Sequence, residues 1–197
     1  MSKLSKPIAL FSFFLIGLSL SIEALLLPTA DQWNLSSHIL LGQKNLTQLT
    51  IHPGYGVTDT LMIVGNAQIT ASQSPSLNIQ EVQGGIGTVF HWNIAPEWAG
   101  SIRYIFSLGK IRFQENVPSY QESLFLQHAI GLRLQFQWTP DFILWGEQPF
   151  VYKTIEKIPA WNTETLLGTR FLTEKKVTVG LFTTLSLRYH GIFLQLN

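Results

Sequence analysis

Hydrophobic and polar residues alternate over long stretches of the chain, most clearly in residues 121–138. Apolar side chains occupy almost every even position from Leu124 to Trp138, whereas mostly polar or small residues occupy the odd positions. A period of two indicates a β-strand, because successive side chains of a strand point to opposite faces. Soluble strands usually have about 5–6 residues, and a tilted membrane-spanning strand needs about 9–11. The length of this segment therefore predicts a strand that crosses a membrane.

The same alternation recurs along the rest of the chain, and short stretches of turn-forming residues interrupt it. The predicted strands cover residues 32–41, 46–53, 61–70, 79–94, 98–113, 121–138, 142–152, 161–172 and 177–197. No helical period lies between them, so the pattern indicates an antiparallel up-and-down β meander. Pro149 is a defect in this interpretation, because proline cannot donate a hydrogen bond within a sheet.

The number of strands depends on both ends of the predicted meander. Residues 32–41 alternate weakly, and residues 177–197 change their apolar parity after Gly191, as a β-bulge would cause. Eight strands, which we prefer, result if residues 32–41 are left out of the barrel and residues 177–197 form one final strand with such a bulge, whereas separate strands at residues 32–41 and 192–197 give ten. The predicted fold is all-β: a closed, antiparallel, up-and-down transmembrane β-barrel of eight strands, with ten as the alternative.

The N-terminal residues have the features of an export signal. Lys3 and Lys6 precede an apolar run over residues 8–22, and Ala24 offers a small residue for cleavage. This is the pattern of a secretory signal peptide. Cleavage after Ala30 and an uncleaved membrane anchor are the two alternatives.

We therefore predict a signal peptide over residues 1–24 and a single outer-membrane β-barrel domain over residues 25–197. Charged residues make up 13% of the chain, against about 25% in ordinary soluble proteins. After the signal peptide no window of about 18 apolar residues is available for a membrane helix. A closed sheet is then the remaining structure that satisfies its backbone hydrogen bonds in lipid.

Charged residues inside the predicted strands indicate which face is the interior. Seven of them share the polar parity, namely Glu81, Arg103, Arg133, Glu147, Glu164, Arg170 and Arg188. An isolated charge in a narrow interior is costly, so we expect arginine–glutamate pairs there. On this orientation Leu132→Arg should damage folding, whereas Gly131→Ser should be tolerated.

Aromatic residues gather near the predicted strand ends. Trp92, Trp98, Trp138 and Phe142 flank two tight turns, and Phe150, Tyr152 and Trp161 lie near the opposite ends. Such girdles mark the two interfaces of a membrane barrel. The alternative is a soluble β-cup whose apolar face turns inward around an apolar ligand.

Together these features resemble the small outer-membrane β-barrel proteins of Gram-negative-type bacteria. Residues 55–61 are similar to the YGLTD-type turn of that family. Residues 189–196 resemble its C-terminal assembly signal, with Gly191, Leu194 and Leu196 at the matching positions, although the chain ends on Asn197 instead of an aromatic residue. The resemblance implies an outer-membrane location, with the lipid bilayer and the barrel-assembly machinery as partners.

Candidate chemistry is sparse. The chain has no cysteine, and its five histidines show no metal-binding spacing, so we predict neither a metal nor a cofactor. A net charge of +1 gives no reason to expect nucleic acid as a partner. Ser186 and His190 share a nominal face, but no neighbouring carboxylate is apparent to orient the histidine. We therefore predict that the protein is not an enzyme.

The leading hypothesis for function is a non-enzymatic outer-membrane barrel with a structural or surface-interaction role. An eight-stranded barrel has an interior just wide enough for side chains, so it should not conduct solutes. A narrow, porin-like pore or transporter for small solutes is the alternative, and ten strands would favour it. The soluble secreted β-cup is the third possibility. No surface partner can be named from the sequence.

Overall fold

The computed structural model describes residues 30–42, 45–73, 77–115, 120–156, 158–172, 177–186 and 188–196. The regular structure in these ranges consists of β-strands. They are β1 (Trp33–Gly42), β2 (Leu46–Gly56), β3 (Leu61–Gln73), β4 (Leu77–Ala95), β5 (Trp98–Glu115), β6 (Tyr120–Thr139), β7 (Phe142–Ile155), β8 (Ile158–Asn162), β9 (Leu166–Leu172), β10 (Val177–Thr184) and β11 (Tyr189–Leu196). The predicted signal peptide, residues 1–24, lies outside the described residues.

The strands form one closed antiparallel barrel. Strands that are neighbours in the chain pair with each other, except β8 and β9, and β1 pairs with β11 from Ser36↔Gln195 to Gly42↔Tyr189. The strand β7 pairs with β6 on one side and with both β8 and β9 on the other. Closure pairs the strands of the ring on both sides, apart from β8, which pairs with β7 alone. Paired strand edges are the condition for a sheet to lie in lipid.

The described part of the barrel has ten strand positions, so the preference for eight strands was wrong and the alternative of ten is correct. The chain turns between β10 and β11 near Leu185, where one strand with a bulge was predicted. This turn, and not a bulge, changes the apolar parity after Gly191. The weakly alternating residues 32–41 correspond to β1, whose pairing with β11 closes the barrel.

β8 and β9 are two halves of one interrupted strand. Their registers on β7 are continuous, since Val151 pairs with Asn162 and Glu147 pairs with Leu166. Pro149 lies opposite the interruption by this register, and its lack of an N–H group explains a break in the ladder there.

Side chains of the neighbouring residues bridge the same interruption. The Gln148 amide donates to the Thr163 hydroxyl at 2.7 Å, and the Thr165 hydroxyl donates to the Gln148 carbonyl at 2.5 Å. The glutamine thus joins the two strands at the place where their main-chain ladder stops.

The two faces of the wall have opposite polarity. Buried side chains of β4–β7 alternate with exposed apolar ones, so that Gln83, Ser107 and Gln135 point inward, whereas Val82, Leu108 and Leu134 point outward. The outward set on all strands includes Ile63, Ile69, Ile86, Phe90, Ile102, Ile130, Leu132, Leu167, Phe171, Leu181 and Ile192. No helix in the described ranges is long and apolar enough to span a membrane.

The inward face is filled by side chains. One cluster consists of Met62, Val64, Val89 and Ile105. A second cluster consists of Trp145, Phe182 and Phe193, with Leu40 and Leu166 packed against it. Gly191 belongs to this region, because a Cβ there would come within 2.0 Å of the Phe182 ring. Large rings therefore occupy the space that glycines leave along the wall.

We expect Leu132→Arg to destabilise the folded barrel by about 2–4 kcal/mol, because Leu132 is outward on a central part of β6. Leu132→Phe keeps the position apolar and should leave stability nearly unchanged. Urea unfolding in detergent micelles, followed by heat-modifiable migration on gels, measures both effects. Equal urea midpoints for the two variants would contradict a lipid-facing outer wall.

Candidate functional site

Glu147 lies at the centre of a cluster of charges inside the barrel, and its side chain is 2% exposed. Arg133 lies directly opposite on β6 and donates from Nε and Nη2 to Glu147 Oε2 at 2.8 and 2.5 Å. Arg103 of β5 donates from Nη2 to Glu147 Oε1 at 2.5 Å. Each carboxylate oxygen therefore accepts from a different guanidinium, which satisfies a charge that would be very costly alone.

Gly131 gives this cluster the room that it needs. It pairs with Arg103 and lies two positions from Arg133, so that Arg103 reaches Glu147 across it. A Cβ at Gly131 would come within 2.6 Å of Glu147 Oε1. This geometry changes the expectation for Gly131→Ser: we now expect it to be tolerated less well than the alternation alone predicts, since even a small side chain meets a carboxylate that two arginines hold in place.

Trp145 connects this cluster to a third arginine. The guanidinium carbon of Arg133 lies 4.9 Å from the centre of the Trp145 ring, and that of Arg170 lies 5.6 Å from it. Arg170 also lies 4.7 Å from the centre of the Phe193 ring. Cation–π contacts of this kind favour a guanidinium in a space with few water molecules.

A second interior ion pair joins Glu81 of β4 to Lys153 of β7 at 2.7 Å. The Lys153 ammonium also lies 4.1 Å from the centre of the Phe125 ring. Sequence reasoning missed Lys153, because the predicted strand ended at residue 152. Its parity could have revealed it, since Lys153 shares the inward parity of Glu147.

The remaining two predicted interior charges lie elsewhere. Glu164 falls in the interruption between β8 and β9 and accepts a hydrogen bond from the Ser186 hydroxyl. Arg188 is exposed in the turn between β10 and β11, so its assignment to the interior was wrong. The predicted long final strand placed Arg188 on the inward parity, and the turn removes it from the wall.

A charged group on the outer face was also missed. Lys110 and Arg112 of β5 share the outward parity of Leu108 and form ion pairs with Glu122 of β6. These three charges therefore do not share the polar parity of the seven charges that were predicted to lie inside. These residues lie near the far ends of strands 18 and 20 residues long, which exceed the length that a membrane requires.

The two cations perturb the titration of Glu122. Hydrogen bonds from Lys110, and then from Arg112, hold the pKa of Glu122 below its usual value of 4.5. The carboxylate therefore stays ionised to lower pH than an isolated glutamate does.

The predicted interface aromatics lie on the outward parity at two levels of the barrel. At one level Trp98 and Trp138 are exposed beside the tight turns, and Trp92 lies over Gly100. The ring centres of Phe142 and Phe171 are 4.7 Å apart at the same level. At the other level the ring centres of Tyr152 and Trp161 are 4.6 Å apart, and Phe150 is exposed nearby.

The distance between these levels can be obtained along β7, which contains both Phe142 and Tyr152. The ten residues from one to the other, at about 3.3 Å per residue and a tilt of about 40°, span about 25 Å. That height matches the apolar band of an outer-membrane barrel.

The three residues singled out in the C-terminal motif, Gly191, Leu194 and Leu196, lie in β11. The backbone pairs Gly191 with Leu40 of β1 and with Phe182 of β10. The segment that resembles an assembly signal is therefore the strand that closes the barrel.

The candidate catalytic residues are not arranged as a triad. Ser186 donates to Glu164, whereas the Nδ1 atom of His190 lies 3.0 Å from the Thr183 hydroxyl. The carboxylate therefore contacts the hydroxyl and not the histidine. Among the described residues no group of three or more histidine or carboxylate side chains is placed to hold a metal.

No protein-family model matches the chain, and no curated protein matches it in sequence. Several solved structures are similar to it in fold, among them the following three. Ail, the attachment invasion locus protein of Yersinia pestis, is 11% identical, and the match covers 82% of this chain and 91% of that chain with a TM-score of 0.41. The N-terminal β-barrel domain of Pseudomonas aeruginosa OprF is 11% identical, and the match covers 84% of this chain and 97% of that chain with a TM-score of 0.46. Neisserial surface protein A is 11% identical, and the match covers 82% of this chain and 89% of that chain with a TM-score of 0.43.

These three proteins are outer-membrane β-barrels, the class that the sequence resembles. Their identities and TM-scores are low, so we infer no function from them. The closed barrel follows from the strand pairing itself.

We expect Glu147→Gln and Arg133→Met each to lower the free energy of unfolding by about 3–5 kcal/mol, because each leaves a buried charge without its partner. Glu122→Gln is the matched control on the outer face and should change stability very little. Unfolding in detergent micelles measures all three. Similar losses for Glu122→Gln and Glu147→Gln would contradict the importance of the interior cluster.

We expect Lys110→Gln to raise the pKa of Glu122, because the hydrogen bond from Lys110 is the largest cause of its depression. Since the folded-state pKa is depressed, any stabilisation from this cluster is present above the usual carboxyl pKa and is lost as pH falls through the folded value. Carboxyl-carbon NMR titration of the folded protein measures the shift. An unchanged pKa in Lys110→Gln would exclude this lysine as the cause.

Proposed function

We propose that the protein is a non-enzymatic β-barrel of a bacterial outer membrane with a structural or surface-interaction role. The observation that carries this proposal is the polarity of the wall, which is apolar outside and contains buried ion pairs inside. A soluble β-cup would have the opposite arrangement. Two aromatic levels separated by about 25 Å support the same orientation.

The filled interior favours a structural barrel over a pore. Inward rings of Trp145, Phe182 and Phe193 pack together beside the Arg103–Glu147–Arg133 cluster. The cavity that borders this cluster has a volume of about 40 Å³, which holds a few water molecules. Ten strands make a wider barrel than eight, but these side chains occupy the added width.

The lengths of the strands favour a role at the cell surface. β4, β5 and β6 contain 19, 18 and 20 residues, about twice the length needed to cross a membrane. Their far ends therefore project beyond the aromatic level of Tyr152 and Trp161. The projecting part carries the Lys110–Arg112–Glu122 ion pairs and the 74% exposed Leu124, which together offer a surface for a partner.

The proposed location implies the remaining partners. The lipid bilayer would cover the outward apolar face, and the barrel-assembly machinery would insert the chain after export by the signal peptide of residues 1–24. β11, which contains Gly191, Leu194 and Leu196, would be the strand presented for assembly.

Two measurements on the refolded full chain test this proposal. We expect the protein to need detergent to remain monodisperse, because its outward side chains are apolar, and to produce no stable conductance in planar bilayers. Detergent-independent monodispersity would favour the soluble cup. Stable ohmic steps would favour the narrow pore.

A further inference from the structure

The cavity beside Glu147 is lined by several side chains that can donate hydrogen bonds, next to the apolar side chains of Met62, Val64 and Val89. Asn34 and Ser36 of β1, His52 of β2, His91 of β4 and Ser101 of β5 line it together with the charged cluster. Amide, hydroxyl and imidazole groups can all present an N–H or O–H to a bound acceptor. Glu147 is the one carboxylate of the lining, and its two oxygens already accept from Arg133 and Arg103.

The charges around the cavity are positive in sum. Arg103 and Arg133 share a single carboxylate, which leaves an excess of one positive charge in the lining. Arg170 adds a third guanidinium on the far side of Trp145. In a low-dielectric interior an excess charge of this kind attracts a counter-ion much more strongly than it does in water.

Arg103 has unused capacity for such an ion. A guanidinium carries five N–H donors in a planar fork, and Arg103 directs Nη2 to Glu147. Its side chain is 27% exposed, against 12% for Arg133, so it is the more accessible of the two arginines. The fork matches two oxygens of a tetrahedral oxyanion.

Gly131 lies beside Arg103 and lines the same cavity. A Cβ at Gly131 would lie 3.6 Å from Arg103 Nε as well as against Glu147. The cavity of about 40 Å³ then has room for a small ion in place of a few water molecules.

We propose that this cavity binds a small inorganic oxyanion such as sulfate or phosphate, with Arg103 as the principal ligand. The hydroxyls of Ser36 and Ser101 would donate to the remaining oxygens. The oxyanion site goes beyond the proposed function. The ion could bind in a barrel that conducts no solute and equally in a barrel that does.

Isothermal titration of sulfate into the refolded full chain tests the site, at constant ionic strength maintained with chloride. We expect saturable binding of one ion per chain. Arg103→Gln should weaken the affinity about tenfold or more, because it removes charge-assisted hydrogen bonds. Arg112→Gln removes an arginine from the outer face and should bind sulfate as the wild type does.

The absence of saturable binding in the wild type would overturn the proposal, as would equal affinities of wild type and Arg103→Gln. Arg103→Lys provides a second variant if Arg103→Gln does not fold, because it keeps the charge but loses the fork. Its affinity should lie below that of the wild type, and an unchanged affinity would exclude fork recognition of the anion.

Discussion

Closure of the sheet is the constraint on which the rest of the structure depends. Backbone N–H and C=O groups in lipid have no water to bond, so an open sheet edge cannot lie in the hydrocarbon region. In this chain closure is achieved by β1 and β11, which lie at opposite ends of the described sequence. Once these strands pair, the alternation of every strand acquires an inside and an outside. The apolar side chains can then face lipid, while the polar side chains share a narrow interior. A charge in that interior is costly unless it is paired.

The charged residues inside the barrel have different numbers of partners. Glu147 forms ion pairs with two arginines, and Glu81 of β4 forms an ion pair with Lys153 of β7, three strands away in the barrel. Glycines matter as much as charges here, because Gly131 makes room for the Glu147 carboxylate and Gly191 for the Phe182 ring. Rings and ion pairs together fill the barrel, and the cavity that remains beside Arg103 is small and positive. On the proposed function, side chains that fill the barrel in this way would stabilise the wall and block a wide aqueous path.

The sequence was sufficient for the architecture but not for the details of pairing. A period of two is a strong signal, so strands β4–β7 and the outward parity of Leu132 could be predicted. The two tight turns beside the aromatic residues could be predicted as well. The number of strands was not, because a turn and a bulge shift parity in the same way, and β1 alternates only weakly. Glu147 and Arg133 could be assigned to one face, but their pairing depends on register, which a single sequence does not encode. Lys153 was missed because the predicted strand ended just before this residue, and Lys110 was missed because charges within strands were expected on the inward parity.

Site-directed spin labelling along β6 in lipid bilayers tests the orientation of the wall most directly, and the lack of cysteine makes single-cysteine variants straightforward. Dissolved oxygen concentrates in hydrocarbon and should therefore raise the relaxation rate of labels at positions 126, 130, 132, 134 and 136. It should raise the relaxation rate of labels at the intervening odd positions only weakly. That alternation is the result expected of a barrel with its apolar face in lipid. Even positions that respond instead to a water-soluble nickel complex would contradict it and would place the apolar face away from the bilayer.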